Sequence, residues 1–157
     1  MGIASLVATA IGVLLLIITA YVLAGGTITV AEVVATAQRD AVSQHEVRMR
    51  TAIDIQSAIL DKKISTLVVS VENTGNERLD DYDHTDVFLL IDGIPEHSAY
   101  HSGTYPWTIL SIQPDAIHPG QLDPGEVMTI SVPYNVSTPT WVQVTTSSGV
   151  SDSQYVS

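Results

Sequence analysis

The densest set of groups able to hold a cation or move a proton is Asp80, Asp81, Asp83, His84 and Asp86. Carboxylates are hard oxygen ligands of the kind calcium takes from a flexible loop. The spacing matches no calcium motif, because no glycine stands at a sharp turn and no terminal glutamate closes the loop. The cluster reads as a solvated inter-strand loop, with calcium as the alternative. His97 and His101 are four residues apart, which on a helix would put two imidazoles on one face as a zinc motif requires. Gly93, Pro95 and Gly103 frame them in a turn-rich stretch instead, and His118 is followed by Pro119, so surface histidines and no metal are expected.

Nucleophilic catalysis needs a nucleophile, a base and a third orienting group, often around a Gly-x-Ser-x-Gly elbow. The chain has no such elbow, no cysteine, no Walker loop and no Gly-x-Gly-x-x-Gly cradle, and Ser147-Ser148-Gly149 reads as a hairpin connection. No catalytic residue, no cofactor and no enzymatic activity are expected. Tyr100, Tyr105, Trp107 and Tyr134 fall in or near loops, where aromatic side chains anchor protein contacts. Trp107 and Trp141 are expected to be half buried, which leaves Tyr100 and Tyr105 as candidate interface residues. Asn135-Val136-Ser137 is a glycosylation sequon if the domain is secreted, and a surface turn otherwise.

Hydrophobicity is unevenly distributed over the 157 residues, and the net charge is -11. From Gly2 to Ala31 no side chain is charged, a stretch longer than the roughly 20 apolar residues that cross a hydrocarbon core. A cleaved signal peptide would carry a basic n-region and a shorter apolar stretch, although Ala20, Ala24 and Gly25 resemble a cleavage site. The segment is therefore expected to remain as a transmembrane helix, since a lone span cannot close a barrel. Gly2, Ala4, Ala8 and Gly12 offer small residues for close approach of another membrane helix. Val30, Val34, Ala37 and Ala41 recur at helical spacing, and Glu46 precedes Arg50 by four residues. These extend the helix to about Arg50 as a stalk, unless Gly25-Gly26 breaks it and the following residues fold back. Domain boundaries follow: residues 1–50 as membrane helix and stalk, residues 51–157 as an extracytoplasmic sandwich. An acidic domain suits neither nucleic acid nor an anionic cytoplasmic membrane face, which places the C-terminal part outside the cell and excludes nucleic-acid binding.

Beyond Ala52 the apolar period becomes alternating or continuous. Ile53, Ile55 and Ile59 open one strand, Leu67, Val69 and Val71 lie on one face of another, and Val87 to Ile91 is apolar on both faces and reads as central. Asp92-Gly93 and Pro124-Gly125 signal tight turns, the second leading into Met128, Ile130 and Val132. Trp141 to Thr146 and Val150 to Val156 close the set, the last with the mixed polarity of an edge. About seven short strands without intervening helices describe a mainly β fold: an antiparallel immunoglobulin-like β-sandwich on one long N-terminal α-helix, a type IV pilin-like layout, with a small barrel as alternative.

Several strings occur in a consistent order: Met1-Gly2-Ile3 running straight into the apolar helix, Val71-Glu72-Asn73-Thr74-Gly75, Val87 to Gly93, Leu122-Asp123-Pro124-Gly125-Glu126, and Val142-Gln143-Val144-Thr145 with Gly149-Val150. In combination they resemble the accessory proteins of the archaeal flagellum, or archaellum, and the F-type more than the G-type member of that pair. Asp80 to Asp86 and His97 to Thr108 are longer and more polar than the family pattern. The resemblance implies a stator or anchor that binds the surface-layer protein and forms a homo- or hetero-oligomer, the latter with a G-type accessory protein. The resemblance thus locates the chain at the archaellum base in the cell membrane. An archaellin- or pilin-like filament subunit is the alternative; such subunits carry a short basic leader, which this sequence does not show before Ile3. A membrane-tethered adhesion sandwich unrelated to motility is the third, because the fold hosts many functions.

Overall fold

The computed structural model describes residues 2–135 and 137–157, and for residues 26–29 the backbone alone. Met1 of the Met-Gly start and Val136 in the middle of the sequon lie outside the described residues. One helix, α1 (Gly2–Arg50), precedes β1 (Ile53–Asp61), β2 (Thr66–Asn73), β3 (Asp86–Ile91), β4 (Ile94–Ser98), β5 (Thr108–Gln113), β6 (Val127–Pro133), β7 (Pro139–Thr145) and β8 (Ser151–Tyr155). The chain forms two compact units, Met1–Ser43 and Gln44–Ser157, so the last two turns of α1 belong with the strands.

In the first unit α1 runs through Gly25-Gly26 without a break. Two of its hydroxyls bond back to the helix: Thr9 donates to the Ser5 carbonyl at 2.7 Å and Thr19 to the Leu15 carbonyl at 2.9 Å. Both donors are thus met within the helix. Leu14, Leu15, Leu16 and Ile17 are each more than half exposed. The helix is long and apolar enough to cross a membrane.

The second unit is a sandwich of two four-stranded antiparallel sheets, ordered β1-β2-β6-β5 and β4-β3-β7-β8. That is the ABED and C′CFG arrangement of immunoglobulin-like folds. The alternation anticipated from the sequence is what packs between them. Leu67, Val69 and Val71 from β2, Ile130 and Val132 from β6, Val87 and Leu89 from β3, and Val142 and Val144 from β7 are all essentially inaccessible. Each buried aliphatic side chain contributes about 1.5–3 kcal/mol. Asp92 and Gly93 both have positive φ, 52° and 79°, the conformation of a two-residue type I′ hairpin that joins β3 to β4.

Two strands differ from the sequence reading. The stretch with Pro95 and His97 is not a loop but β4, paired with β3 from Val87↔Ser98 to Ile91↔Ile94. Its proline sits where an edge strand tolerates one. Thr108–Gln113 forms β5, whose register against β6 shifts between Ile109 and Ser111, so Leu110 faces solvent. Trp107, expected to be half buried, is fully enclosed, with its indole N–H donating to the Thr85 carbonyl at 3.3 Å. The sandwich is stitched along one side. The edge expected at the C-terminal strand is β8, and it lies against β1: the Ile55 N–H donates to the Asp152 carboxylate at 2.7 Å, and the Ser157 N–H to the Ala58 carbonyl at 3.0 Å.

Candidate functional site: the junction of helix and sandwich

Only Thr51 and Ala52 separate α1 from β1, too short a connection to act as a flexible linker. The Thr51 N–H and hydroxyl both bond the Val47 carbonyl, at 3.0 and 2.8 Å, finishing the last helical turn. The following carbonyls are then met by a loop from the other end of β2. Asn76 and Glu77 donate backbone N–H groups to the Arg50 carbonyl at 2.8 and 3.2 Å, and Gly75 donates to the Ala52 carbonyl at 3.0 Å. Helix C-termini leave such carbonyls without intrahelical partners, so the loop serves as a cap built at long range. Arg50 adds ion pairs to Glu77 at 3.6 Å and to Glu46 at 3.7 Å; both are solvent-exposed and contribute little.

The loop approaches so closely that only glycine fits. A Cβ on Gly75 would lie 2.4 Å from the Ala52 nitrogen and 2.6 Å from the Arg50 oxygen. Asn73, fully buried, holds the loop in that position. Its amide donates to the Glu77 and Leu122 carbonyls at 2.8 and 3.0 Å, and its side-chain oxygen accepts from the Gly75 N–H at 3.0 Å.

Behind Asn73 stands the β5–β6 loop. The Asn73 N–H donates to the Glu126 carbonyl, the Gly125 N–H to the Asn73 carbonyl, and Leu79 and Leu122 exchange a pair of bonds at 3.1 and 2.9 Å. The Glu126 carboxylate accepts from the Ala116 and Asp123 N–H groups, both at 3.1 Å. Burial pushes the Asp123 carboxyl up, but the ring of His118 at 2.9 Å and the His118 N–H at 3.0 Å outweigh it and hold the group below the usual range. Tyr82 lies across both loops, donating to the Leu79 and Gly120 carbonyls, and burial pushes its hydroxyl up to about 12. The strings Asn73-Thr74-Gly75 and Leu122 to Glu126, far apart in sequence, thus form one polar knot under the helix terminus.

The acidic cluster is dealt out among separate partners. Asp80 pairs with Arg78 at 3.3 Å, Asp81 with His84 at 2.8 Å, and Asp86 with His97 at 2.6 Å. Asp81 raises the His84 imidazole above its ordinary value. Among the described residues no three histidine or carboxylate side chains converge on a metal-sized point. The His101 ring packs against Tyr100 at a tilt of 50°, with ring centroids 4.0 Å apart.

Tyr100 is half buried between Tyr82 and Trp107, its centroid 5.9 and 4.6 Å from theirs, and Tyr105 packs on the core edge nearby. Asn135 is exposed. Ala4, Ala8 and Gly12 line one face of α1, whereas Gly2, about 200° around the helix from Ala4, lies on the other side. The sequence reading missed the outer face of the β4-β3-β7-β8 sheet. Register places Pro95, Leu90, Trp141 and Tyr155 in one row and His97, Phe88, Gln143 and Ser153 in the next. Tyr155 is 78% exposed. The signal was in β3, whose second apolar face needs a covering that the sandwich does not supply.

A sequence model of the archaeal-type flagellin family matches residues 3–156, nearly the whole chain. The chain belongs to that family. Archaeal-type flagellins are structural proteins of the archaellum, so this is an archaellum-related structural component and not an enzyme. An uncharacterized protein of Archaeoglobus fulgidus is 29% identical over 144 residues, covering 90% of this chain and 87% of that protein. The fold is that of the archaellum periplasmic stator protein FlaG from Sulfolobus acidocaldarius: TM-score 0.54 at 22% identity, covering 66% of this chain and 97% of that one. The FlaF and FlaG stator complex from the same organism gives 0.53 at 20% identity, over 65% of this chain and 85% of that one. Within this archaeal-type flagellin, both halves of the junction knot, residues 73–77 and 115–126, lie inside the matched region.

Proposed function

We propose that this archaeal-type flagellin is a membrane-anchored stator of the archaellum, with α1 in the membrane and the acidic sandwich outside the cytoplasm against the surface layer. The observation that carries the reading is the junction. A rotating filament works on its medium only if a fixed part resists the counter-torque. A support joined by a flexible linker would swivel, whereas Gly75, Asn76 and Glu77 splice the helix terminus to the sandwich through backbone bonds. The similarity in fold to stator proteins supports the same reading. So does the placement of the negative charge, since Lys62, Lys63 and Arg78 are the only lysine and arginine residues after Ala52. A second stator subunit of the G-type is the expected partner, with Ala4, Ala8 and Gly12 on the helix, and Tyr100 and Tyr105 on the sandwich, as candidate contacts.

Full-length protein in lipid nanodiscs is expected to cosediment with isolated surface-layer sheets at moderate salt. Failure to cosediment would refute the anchoring role. The family model itself favours a second reading, a filament subunit. Filaments sheared from cells and probed with an antibody to the sandwich separate the two, because a stator stays with the cell body and a subunit leaves with the filament.

A further inference from the structure

The outer face of the β4-β3-β7-β8 sheet has the makings of a ligand platform. Trp141 and Tyr155 are cross-strand neighbours and Phe88 lies diagonal to Trp141, within the roughly 5–8 Å at which such side chains share one surface. Polar groups are interleaved with the rings rather than set around them. Gln143 stands between Phe88 and Ser153 in its row, donating to the Thr145 hydroxyl at 3.3 Å. His97 packs on Phe88 with ring centroids 5.2 Å apart and is paired with Asp86. The Asp86 carboxylate beside the strip is engaged by the His97 ring at 2.6 Å.

Size and composition decide among occupants. Two rows across four strands cover roughly 250 Å², from about 4.8 Å between strands and 3.3 Å per residue. A stable protein interface needs about 800 Å² per partner, with an apolar centre inside a polar rim. The strip is too small for that and its polar groups lie in the wrong place. It suits a narrow, neutral, amphipathic ligand that offers C–H faces to aromatic rings and hydroxyls to amide and imidazole groups. We infer that this face binds a neutral oligosaccharide of hexopyranose units, stacked on Trp141, Tyr155 and Phe88 and hydrogen-bonded by Gln143 and His97. The inference rests on the sheet face alone and is independent of the anchoring role.

The test uses full-length protein in lipid nanodiscs, because sugar-headed detergents would compete for the face. Hexaoses of glucose, mannose and galactose are titrated separately and followed by calorimetry and by tryptophan fluorescence. Trp107 is enclosed and Trp141 is not, so a spectral change on binding reports the strip. At least one hexaose is expected to saturate at submillimolar concentration. Tyr155→Ala is expected to weaken it at least tenfold with an unchanged thermal midpoint, and Tyr155→Phe to retain it. Gln143→Ala is expected to weaken it severalfold. The inference is overturned if no hexaose saturates by about ten millimolar, or if Tyr155→Ala binds as the parent does. It is also overturned if light scattering shows self-association that Tyr155→Ala abolishes, which would assign the face to a second copy of the chain.

Discussion

Replacing Gly75 with alanine tests the junction with a single methyl group. Gly75 is not among the glycines in the left-handed region of φ, so alanine carries no dihedral penalty and its cost is steric. The atoms in the way, Ala52 N at 2.4 Å and Arg50 O at 2.6 Å, are backbone and cannot rotate aside. The loop has to withdraw by about an ångström, enough to lose hydrogen bonds that weaken steeply with length and angle. Three are at risk, from Gly75, Asn76 and Glu77 to the Ala52 and Arg50 carbonyls. At about 1 kcal/mol net for each, the loss is about 2–3 kcal/mol, or roughly 6–15 °C in Tm for a unit of this size. Near-ultraviolet circular dichroism on heating reads the stability. Hydrogen exchange reads the three amides directly, and their protection is expected to fall while that of β2 and β6 amides is kept. Gly75→Ala with a Tm within about 1 °C of the parent and protected amides at 75–77 would refute the close approach.

Asn73→Ala leaves the Glu77 and Leu122 carbonyls without their side-chain donor, so urea denaturation should show a loss of about 2–3 kcal/mol. Combined with Gly75→Ala it should fall short of additivity, because both changes release the same loop. Leu89→Ala, at a fully buried position facing Val142, is expected to cost about 3–5 kcal/mol with little change in the denaturant slope. The Asp123 carboxyl is held below its ordinary value of 3.8. Its contribution is therefore complete above pH 3.8 and lost as pH falls through the lower folded value, and amide exchange at His118, whose N–H donates to that carboxylate, should rise sharply only below that point. Asp81→Asn should lower the His84 titration midpoint, read by NMR of the imidazole, since Asp81 is what raises it.

The helix was legible as a long uncharged apolar run, β1, β2, β3, β6 and β7 because burial on one side of each imposes a period that the sequence must carry, and β8 through the mixed polarity of an edge. β4 and β5 were not. Among the five residues of β4 only Ser98 is buried, so its single apolar residue, Ile94, imposes no period. In β5 the shifted register at Leu110 breaks the alternation that would have marked it. The junction was half legible. Asn73-Thr74-Gly75 and Leu122 to Glu126 stood out as strings, but Asn73 reaches the Leu122 carbonyl across 49 positions, and no local pattern encodes that meeting. The outer aromatic face was hidden for the opposite reason: an apolar residue on either side of β3 reads equally well as burial.

The short splice at Thr51 and Ala52 also settles how the sandwich bears load. A pull on Arg50 enters at the first residues of β1 and, through the Asn76 and Glu77 N–H groups on its carbonyl, at the loop that follows β2. From Ile53↔Asn73 to Asp61↔Thr66 the ladder of β1 to β2 lies crosswise to the strands. The far side of β1 is held at Ile55 and Ala58 by Asp152 and Ser157. Because Ile53 and Asn73 are cross-strand partners, the two routes meet at the same end of two paired strands, and neither strand end takes the load alone. Tension at the helix terminus is therefore shared by β1, by the loop after β2 and, through Asp152 and Ser157, by the opposite sheet, so that no single hydrogen bond stands alone between helix and sandwich.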